Sequence, residues 1–153
     1  MTKATSSLLL YRASRDGFSY DNFHFNCDNK EKTVILIKNN LNFVFGGYTG
    51  ETWTSDVTVL RFKTDATAFI FSLRRNGISN SKKFKVKKSE HAIIVSPPFG
   101  STYESNGMED GRTIFCFGRT NIRICDNSDL NYGNYTNFGG DYELPEGLKI
   151  GSL

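Results

Sequence analysis

The sequence has little of what marks secreted, metal-binding or membrane-spanning proteins. It holds only three cysteines, Cys27, Cys116 and Cys125, and no Cys-x-x-Cys pair, so it indicates neither a zinc ribbon nor a thioredoxin-type redox site. Its N-terminal leucine run is too short for a signal peptide, and no apolar run is long enough to span a bilayer. We therefore expect a cytoplasmic protein with buried, reduced thiols and no transmembrane segment.

A strong excess of charge of one sign is also missing. The formal net charge of +3 is too modest to indicate a nucleic-acid-binding protein. Its most basic segment, 82–88, contains no arginine fork for reading bases and no aromatic pair for stacking on them. No nucleic-acid partner is therefore expected.

Aromatic residues and glycines, by contrast, are plentiful. The chain has 13 Phe and 7 Tyr, a composition that favours packed β-strands over disorder. The 14 glycines indicate many tight turns. With 153 residues, no linker and no internal repeat, the chain has the size of one ordinary domain.

Short β-branched and aromatic runs, separated by turn signals, predict about seven or eight strands. Their expected ranges are 33–38, 41–45, 66–73, 83–87, 92–95, 113–117, 122–125 and, as the eighth, 142–144. By composition, 33–38 is predicted to be a core strand, 8–11 a buried strand or the last turn of a helix, and 127–140 a long loop. The pattern predicts an α+β, mostly β fold: a two-sheet antiparallel β-sandwich flanked by short helices.

One helix is expected near the N-terminus. Tyr20, Phe23, His24 and Cys27 are spaced by three or four residues, and Ser19 can serve as the N-cap. This spacing places His24 and Cys27 on one face. A helix seam packed on a sheet explains the pair best, and a hydrolytic or redox enzyme that uses Cys27 with His24 is the alternative.

Two turn motifs allow both structural and functional interpretations. Arg15 and Asp16 precede a glycine in a tight turn. In a structural role Asp16 caps nearby N–H groups and Arg15 pairs with a carboxylate, and in a functional role the two bind a partner. Gly46-Gly47 is expected to end or bulge a strand, or to allow close packing. It lacks the Gly-Lys-Ser/Thr ending of a phosphate-binding loop.

A lysine-rich segment is the sharpest electrostatic feature of the sequence. It contains Lys82, Lys83, Lys85, Lys87 and Lys88. Its alternation with Phe84 and Val86 predicts a one-sided strand whose lysines lie in solvent and oppose edge-to-edge aggregation. The alternative is a basic patch that binds phosphates, anionic lipid or an acidic protein surface.

Several segments together resemble the TLDc domain family, of the oxidation-resistance protein type. The most specific is 9–18, where a leucine pair, an aromatic and a Ser-Arg-Asp-Gly-Phe turn precede the expected helix. The other matching segments, in chain order, are His24, Cys27-Asp28, Phe45-Gly46-Gly47-Tyr48, Trp53, Ser55-Asp56, Ala68–Leu73, Pro98-Phe99-Gly100, and Asp126-Asn127 followed by Tyr135–Phe138.

The resemblance implies a non-catalytic protein-interaction module without a cofactor. It implies a link to oxidative-stress resistance and, as partner, the vacuolar proton-pumping ATPase (V-ATPase), with a cytoplasmic location that includes endolysosomal membranes reached through that partner. The candidate interaction residues that it suggests are Ser14, Arg15, Asp16, Gly17, Phe18, Gly46, Gly47, Tyr48 and Trp53.

The resemblance also sets expectations for the limits of the domain. A single TLDc-like domain is expected over 8–153, with 1–7 as a short tail. The final strand usual in the family has no counterpart before Leu153, and the glycine-rich run before 122–125 is reduced to Gly118. We therefore expect one sheet edge to be filled by a continuation of the chain or by strand pairing with another chain.

Overall fold

The computed structural model describes residues 6–98, 112–119, 121–130, 134–136 and 139–143. Two short helices come first, α1 at Ala13–Asp16 and α2 at Tyr20–Cys27, and a 3₁₀ turn lies at Ser89–His91. The strands in this part of the chain are β1 (Thr33–Lys38), β2 (Val44–Thr49), β3 (Arg61–Lys63), β4 (Phe69–Arg75), β5 (Ile78–Lys85), β6 (Ile93–Val95), β7 (Thr113–Phe117), β8 (Ile122–Cys125) and β9 (Tyr135–Thr136).

The strands form two antiparallel sheets, which confirms the predicted sandwich. One sheet has the order β1-β2-β4-β5 and the other the order β3-β6-β7-β8-β9. Asn76-Gly77 makes the β4–β5 turn as its sequence indicates, because both residues have positive φ angles, 48° and 79°. The Asn-Gly pair therefore determines the position of the β4–β5 hairpin turn.

Helix α2 forms where the spacing predicts it. The Ser19 side chain accepts a hydrogen bond from the backbone N–H of Asn22, and the Asn22 side chain accepts one from the backbone N–H of Ser19, which completes a capping box. The helix buries Tyr20, Phe23, His24 and Cys27.

Helix α2 is tied to segments far along the chain. The backbone N–H of Tyr20 donates to the carboxylate of Asp126 at 2.6 Å. The hydroxyl of the same tyrosine donates to the carbonyl of Ser96 at 2.7 Å. The helix is therefore held on the second sheet by polar contacts as well as by its apolar face.

The core lies between the sheets and beneath α2. Trp53 is 1% exposed and contacts three aromatic rings, those of Phe23, Phe115 and Phe117, at centroid distances of 5.8, 6.0 and 5.8 Å. From the first sheet, Ile70 contributes a fully buried side chain. This aromatic cluster joins the helix and both sheets in one core.

The prediction that 33–38 is a core strand holds for only one of its faces, where Ile35 and Ile37 pack against the core. Residues 33–38 do form β1, but β1 lies at the edge of its sheet, and Val34 and Leu36 are 62% and 61% exposed. An edge strand has one neighbour, and composition does not reveal how many neighbours a strand will have.

The expected burial of 8–11 is wrong for the first two of these residues. Leu8 and Leu9 are 82% and 63% exposed and belong to no helix or strand, whereas Leu10 and Tyr11 pack against the core. A short apolar run does not specify burial by itself, because burial requires a surface opposite it.

Several other boundaries also differ from the sequence prediction. Gly46 and Gly47 lie inside β2 and do not end it, and the stretch 127–140 contains β9. In place of the strand expected at 142–144, Tyr142 forms an isolated bridge to Val86, and Leu144 lies outside the described residues. Phe99 and Gly100 of the Pro-Phe-Gly turn also lie outside them, as does the end of the chain, to which the expectation about the final strand applies. The polar stretch before 64 supplies β3, which was not predicted.

Gly47 allows the two sheets to approach each other. A Cβ atom added to it would lie 2.6 Å from the ring of Phe117 on β7. Because Phe117 is fully buried, its ring has no free space into which to move. The close packing predicted for the glycine pair is thereby confirmed at Gly47.

We predict that Gly47→Ala destabilises the fold by about 1–3 kcal/mol, because the new methyl group overpacks the space against Phe117. The measurement is urea unfolding at neutral pH. Gly50→Ala is the matched control, since its nearest neighbour would be the exposed Thr67 side chain at 3.2 Å. Equal midpoints for the two variants would contradict this account of the sheet contact.

Candidate functional site

The N-terminal corner, Ser14–Phe18, is held mainly by its own polar contacts. Arg15 donates two hydrogen bonds to the Asp16 carboxylate, at 2.6 and 2.7 Å, and Asp16 also accepts from the backbone of Arg12 at 2.8 Å. These bonds lower the pKa of Asp16 to about 2, the contribution of Arg15 being the largest. The Arg15 guanidinium is exposed, whereas the Asp16 carboxylate is occupied by hydrogen bonds within the corner.

Gly17 gives this corner its shape. Its φ angle of 102° ends α1, and its carbonyl accepts the Tyr11 hydroxyl at 2.6 Å. An added Cβ would collide with the side chain of Asn22, which completes the α2 capping box. Ser14 accepts a hydrogen bond from Arg12, and Phe18 is half-buried. The corner therefore orients the start of α2.

Of the other family-motif residues, only Tyr48 presents a side chain at the surface. Trp53 is in the core, where its indole N–H donates to the Thr33 hydroxyl at 2.9 Å. Gly46 and Gly47 are buried within β2. Trp53 and the two glycines thus build the fold, and none of them offers a side chain to a partner from this position.

His24 and Cys27 lie on the buried face of α2, as predicted, but His24 is engaged elsewhere. Its Nδ1 lies 2.5 Å from the carboxylate of Asp28, and its Nε2 lies 3.1 Å from the carbonyl oxygen of Ile114. Both neighbours accept hydrogen bonds, so the ring satisfies both only when each nitrogen carries a proton. His24 therefore has no free nitrogen with which to take a proton from a thiol.

The surroundings of Cys27 oppose a reactive thiolate. Burial, together with the negative charges of Asp28 and Asp16, raises the pKa of the Cys27 thiol to about 12. A nucleophilic cysteine requires the opposite conditions, a positive neighbour and a lowered pKa. The geometry of α2 thus fits a helix seam rather than a catalytic pair.

Asp28 links α2 to the segment that follows β2. Besides its contact with His24, its carboxylate accepts the backbone N–H and the hydroxyl of Ser55, at 2.8 and 2.6 Å. Burial raises the pKa of Asp28, but the hydrogen bonds from His24 and Ser55 outweigh it and hold the pKa below its usual value.

The lysine-rich segment lies at the end of the first sheet. Lys82, Lys83 and Lys85 are exposed on edge strand β5, as the alternation predicts, while Phe84 is buried. The Lys83 ammonium lies 3.8 Å from the centre of the Phe69 ring, a cation–π contact. This part of β5 is therefore a basic edge.

The far end of this segment is partly covered by the chain itself. Lys87 and Lys88 donate their backbone N–H groups to the carbonyl of Asp141, at 2.7 and 3.1 Å. Glu143 exchanges hydrogen bonds with the backbone of Lys85, its N–H donating and its carboxylate accepting. The edge is thus covered from Lys85 onward.

The sequence interpretation missed an apolar surface beside this edge. Val34, Leu36, Tyr48, Phe69 and Phe71 lie on the outer face of the first sheet, away from the second sheet. Period-two alternation in β1 and β4 was the available signal, but it does not say which of two faces a second sheet will cover.

A sequence model of the TLDc domain matches residues 2–146. The chain belongs to the TLDc domain family. This match confirms the resemblance carried by the segment 9–18 and the motifs after it. Searches of curated proteins and of solved structures gave no match.

The described part of this TLDc domain contains neither a membrane-spanning helix nor a cluster of metal ligands. No helix there is long and apolar enough to cross a membrane. Within the same residues, no three His, Cys, Asp or Glu side chains converge as metal ligands would. The features that remain are the basic edge and the apolar outer face.

We predict that Asp28→Asn destabilises the TLDc domain by about 1–3 kcal/mol at pH 7, because it removes the charged acceptor of a buried imidazole. A lowered carboxyl pKa stabilises the fold above the unfolded value, near 4, and this contribution is lost as pH falls. The difference between wild type and variant, measured by urea unfolding, should therefore shrink below about pH 4. Asp56→Asn at an exposed position is the control, and an equal effect there would contradict the assignment.

We also predict that Cys27 resists alkylation at neutral pH. With its pKa near 12 and its side chain buried, it should react only when the chain opens, at a rate that rises with added urea. Mass spectrometry of peptides after timed iodoacetamide treatment measures this rate, with the urea-unfolded chain as reference. Rapid labelling of Cys27 in the native chain would restore the enzyme hypothesis.

Proposed function

We propose that this TLDc domain is a non-catalytic protein-interaction module whose partner is the V-ATPase. The family match carries the proposal, since the resemblance to TLDc domains implies binding to that pump and a role in oxidative-stress resistance. In this proposal 8–153 form the module, 1–7 are a tail, and no cofactor is required. The module acts in the cytoplasm and reaches endolysosomal membranes through the pump.

The surroundings of Cys27 support a binding role over an enzymatic one. The hydrolytic or redox alternative needs His24 as a base and Cys27 as a nucleophile. Both nitrogens of His24 face acceptors, and the pKa of Cys27 is raised. The alternative therefore has no activated nucleophile at this pair.

Among the family-motif residues, those with side chains at the surface are proposed to contact the partner. Ser14 and Arg15 at the N-terminal corner are exposed and Tyr48 on β2 is half-buried, and they act together with the exposed Lys82, Lys83 and Lys85 of the basic edge. The residues that hold these positions in place are Asp16, Gly17, Phe18, Gly46, Gly47 and Trp53.

We predict that the immobilised chain recovers V-ATPase subunits from a cell lysate at low salt and changes the rate of ATP-driven acidification of isolated endolysosomal vesicles. The readouts are mass spectrometry of the eluate and a pH-sensitive dye. The Gly47→Ala variant, pre-unfolded by heat, controls for non-specific capture. Absence of pump subunits together with unchanged acidification would refute this partner.

The same experiment separates protein binding from binding to anionic surfaces. Protein-free vesicles that contain phosphatidylserine should not retain the chain if the pump is its partner. If these vesicles retain the chain and added salt, which screens exposed charges, abolishes the retention, the result would instead favour lipid binding. The residues responsible would then be Lys82, Lys83, Lys85, Lys87 and Lys88.

A further inference from the structure

The outer face of the β1-β2-β4-β5 sheet carries a continuous apolar strip that crosses all four strands. The strand register places Val34, Tyr48, Phe69 and Lys85 side by side in one row. Directly opposed residues in antiparallel strands share a face, so each row lies on one side of the sheet.

A second row lies two residues further along the strands. It consists of Leu36, Gly46, Phe71 and Lys83. The residues between the rows point the other way, as Ile70 and Phe84 do, and these two are buried in the core. The two rows therefore belong to the outer face.

The aromatic rings of this strip pack on one another and on the sheet. Tyr48 and Phe69 are stacked with a centroid distance of 5.1 Å and an interplanar angle of 20°, and the Phe71 ring is 6.2 Å from that of Phe69. A Cβ atom on Gly46 would collide with the backbone carbonyl oxygen of Ile35 and would lie 2.9 Å from the Phe71 ring. Gly46 therefore makes room for a ring that rests low against the sheet.

The strip is accessible, its β5 end is basic, and cationic residues flank it. Val34 and Leu36, at the β1 end, are 62% and 61% exposed. Lys83 and Lys85 lie at the β5 end, and Lys38 and Arg74 flank the strip in the next register positions. The sequences of β1, β2, β4 and β5 contain no Asp or Glu. A partner surface with negative charge therefore complements this face best.

We propose that this outer face is the docking surface for an acidic amphipathic helix of a protein partner. The proposal rests on the proposed function only for the premise that the domain binds protein. Four strands spaced about 4.8 Å apart give a strip about 14 Å long, with rows about 7 Å apart. A helix about 10 Å wide, with about nine residues on the strip, matches these dimensions. Its apolar stripe covers the aromatic rings, and its carboxylates reach the lysines and Arg74.

A protein helix fits this surface better than a bilayer does. Interfacial insertion places apolar side chains roughly 5–10 Å into the lipid boundary. The rings of Tyr48, Phe69 and Phe71 are half-buried and pack on one another, so only part of their surface is available for insertion into lipid. A flat apolar sheet face is the surface that a helix covers in layered folds.

The probe is a synthetic helical peptide with leucine at every third or fourth position and glutamate elsewhere, labelled for fluorescence anisotropy. The full chain should bind it, binding should weaken as salt rises, and the same peptide with lysine in place of glutamate should not bind. Leu36→Asp and Lys83→Glu should each weaken binding at least about fivefold, because the first removes the apolar contact at the β1 end of the strip and the second removes the basic contact at its β5 end.

Matched controls lie off the outer face. Leu130→Asp and Arg61→Glu change an exposed leucine and an exposed cation elsewhere and should leave binding unchanged. Urea unfolding of every variant reports whether it folds. Because the two test residues are exposed and lie on opposite edge strands, a fold defect in one leaves the other as the test.

Several results would overturn the proposal. One is equal peptide binding by the test and control variants, and another is equal binding of the lysine peptide. Leu36-dependent sedimentation with phosphatidylserine vesicles would assign the face to lipid, and a dimer lost in Leu36→Asp would assign it to a second copy. Cross-links from 144–153 to the Leu36 region in the free chain would show that the chain covers its own face.

The V-ATPase pulldown, repeated with the same variants, separates the two proposals. Capture of the pump that is insensitive to Leu36→Asp and Lys83→Glu would refute this docking surface and leave the proposed partner standing. Peptide binding at the strip without capture of the pump would support the surface and refute the partner.

Discussion

The contact between the backbone of Gly47 and the ring of Phe117 sets the distance between the two sheets. Because β2 presents no side chain at this point, the buried ring fills the space, and Trp53, Phe23 and Phe115 complete the cluster around it. Helix α2 covers this cluster from one side, and the N-terminal corner orients the helix. The family motifs that resembled functional sites in the sequence therefore contribute mainly to the packing of one core.

Local signals in the sequence predicted the local structure well. The N-cap Ser19 and the turn Asn76-Gly77 act through neighbours within a few residues, so their effect can be predicted without the fold. The β7 and β8 boundaries followed from short runs of apolar and β-branched residues. These elements needed no knowledge of what lies opposite them.

The remaining features depend on distant partners and could not be predicted in this way. The position of β1 at an edge is decided by the order of strands, and the burial of Trp53 by three rings from other segments. The outer-face strip exists only after the register pairs Val34 with Tyr48 and Tyr48 with Phe69. His24 looked like a potential base until its acceptors, Asp28 and Ile114, were placed beside it.

The hydrogen bond from Tyr20 to Asp126 has a consequence for synthesis in the cell. It joins residues separated by 106 positions, and the His24 bond to Ile114 spans 90. At about 5–20 residues per second, a ribosome needs on the order of 5–20 s to deliver the second partner after the first. During that interval the apolar side of α2 is without its sheet. The exposed apolar surface of α2 in a nascent chain is therefore expected to bind chaperones until β7 and β8 emerge from the exit tunnel.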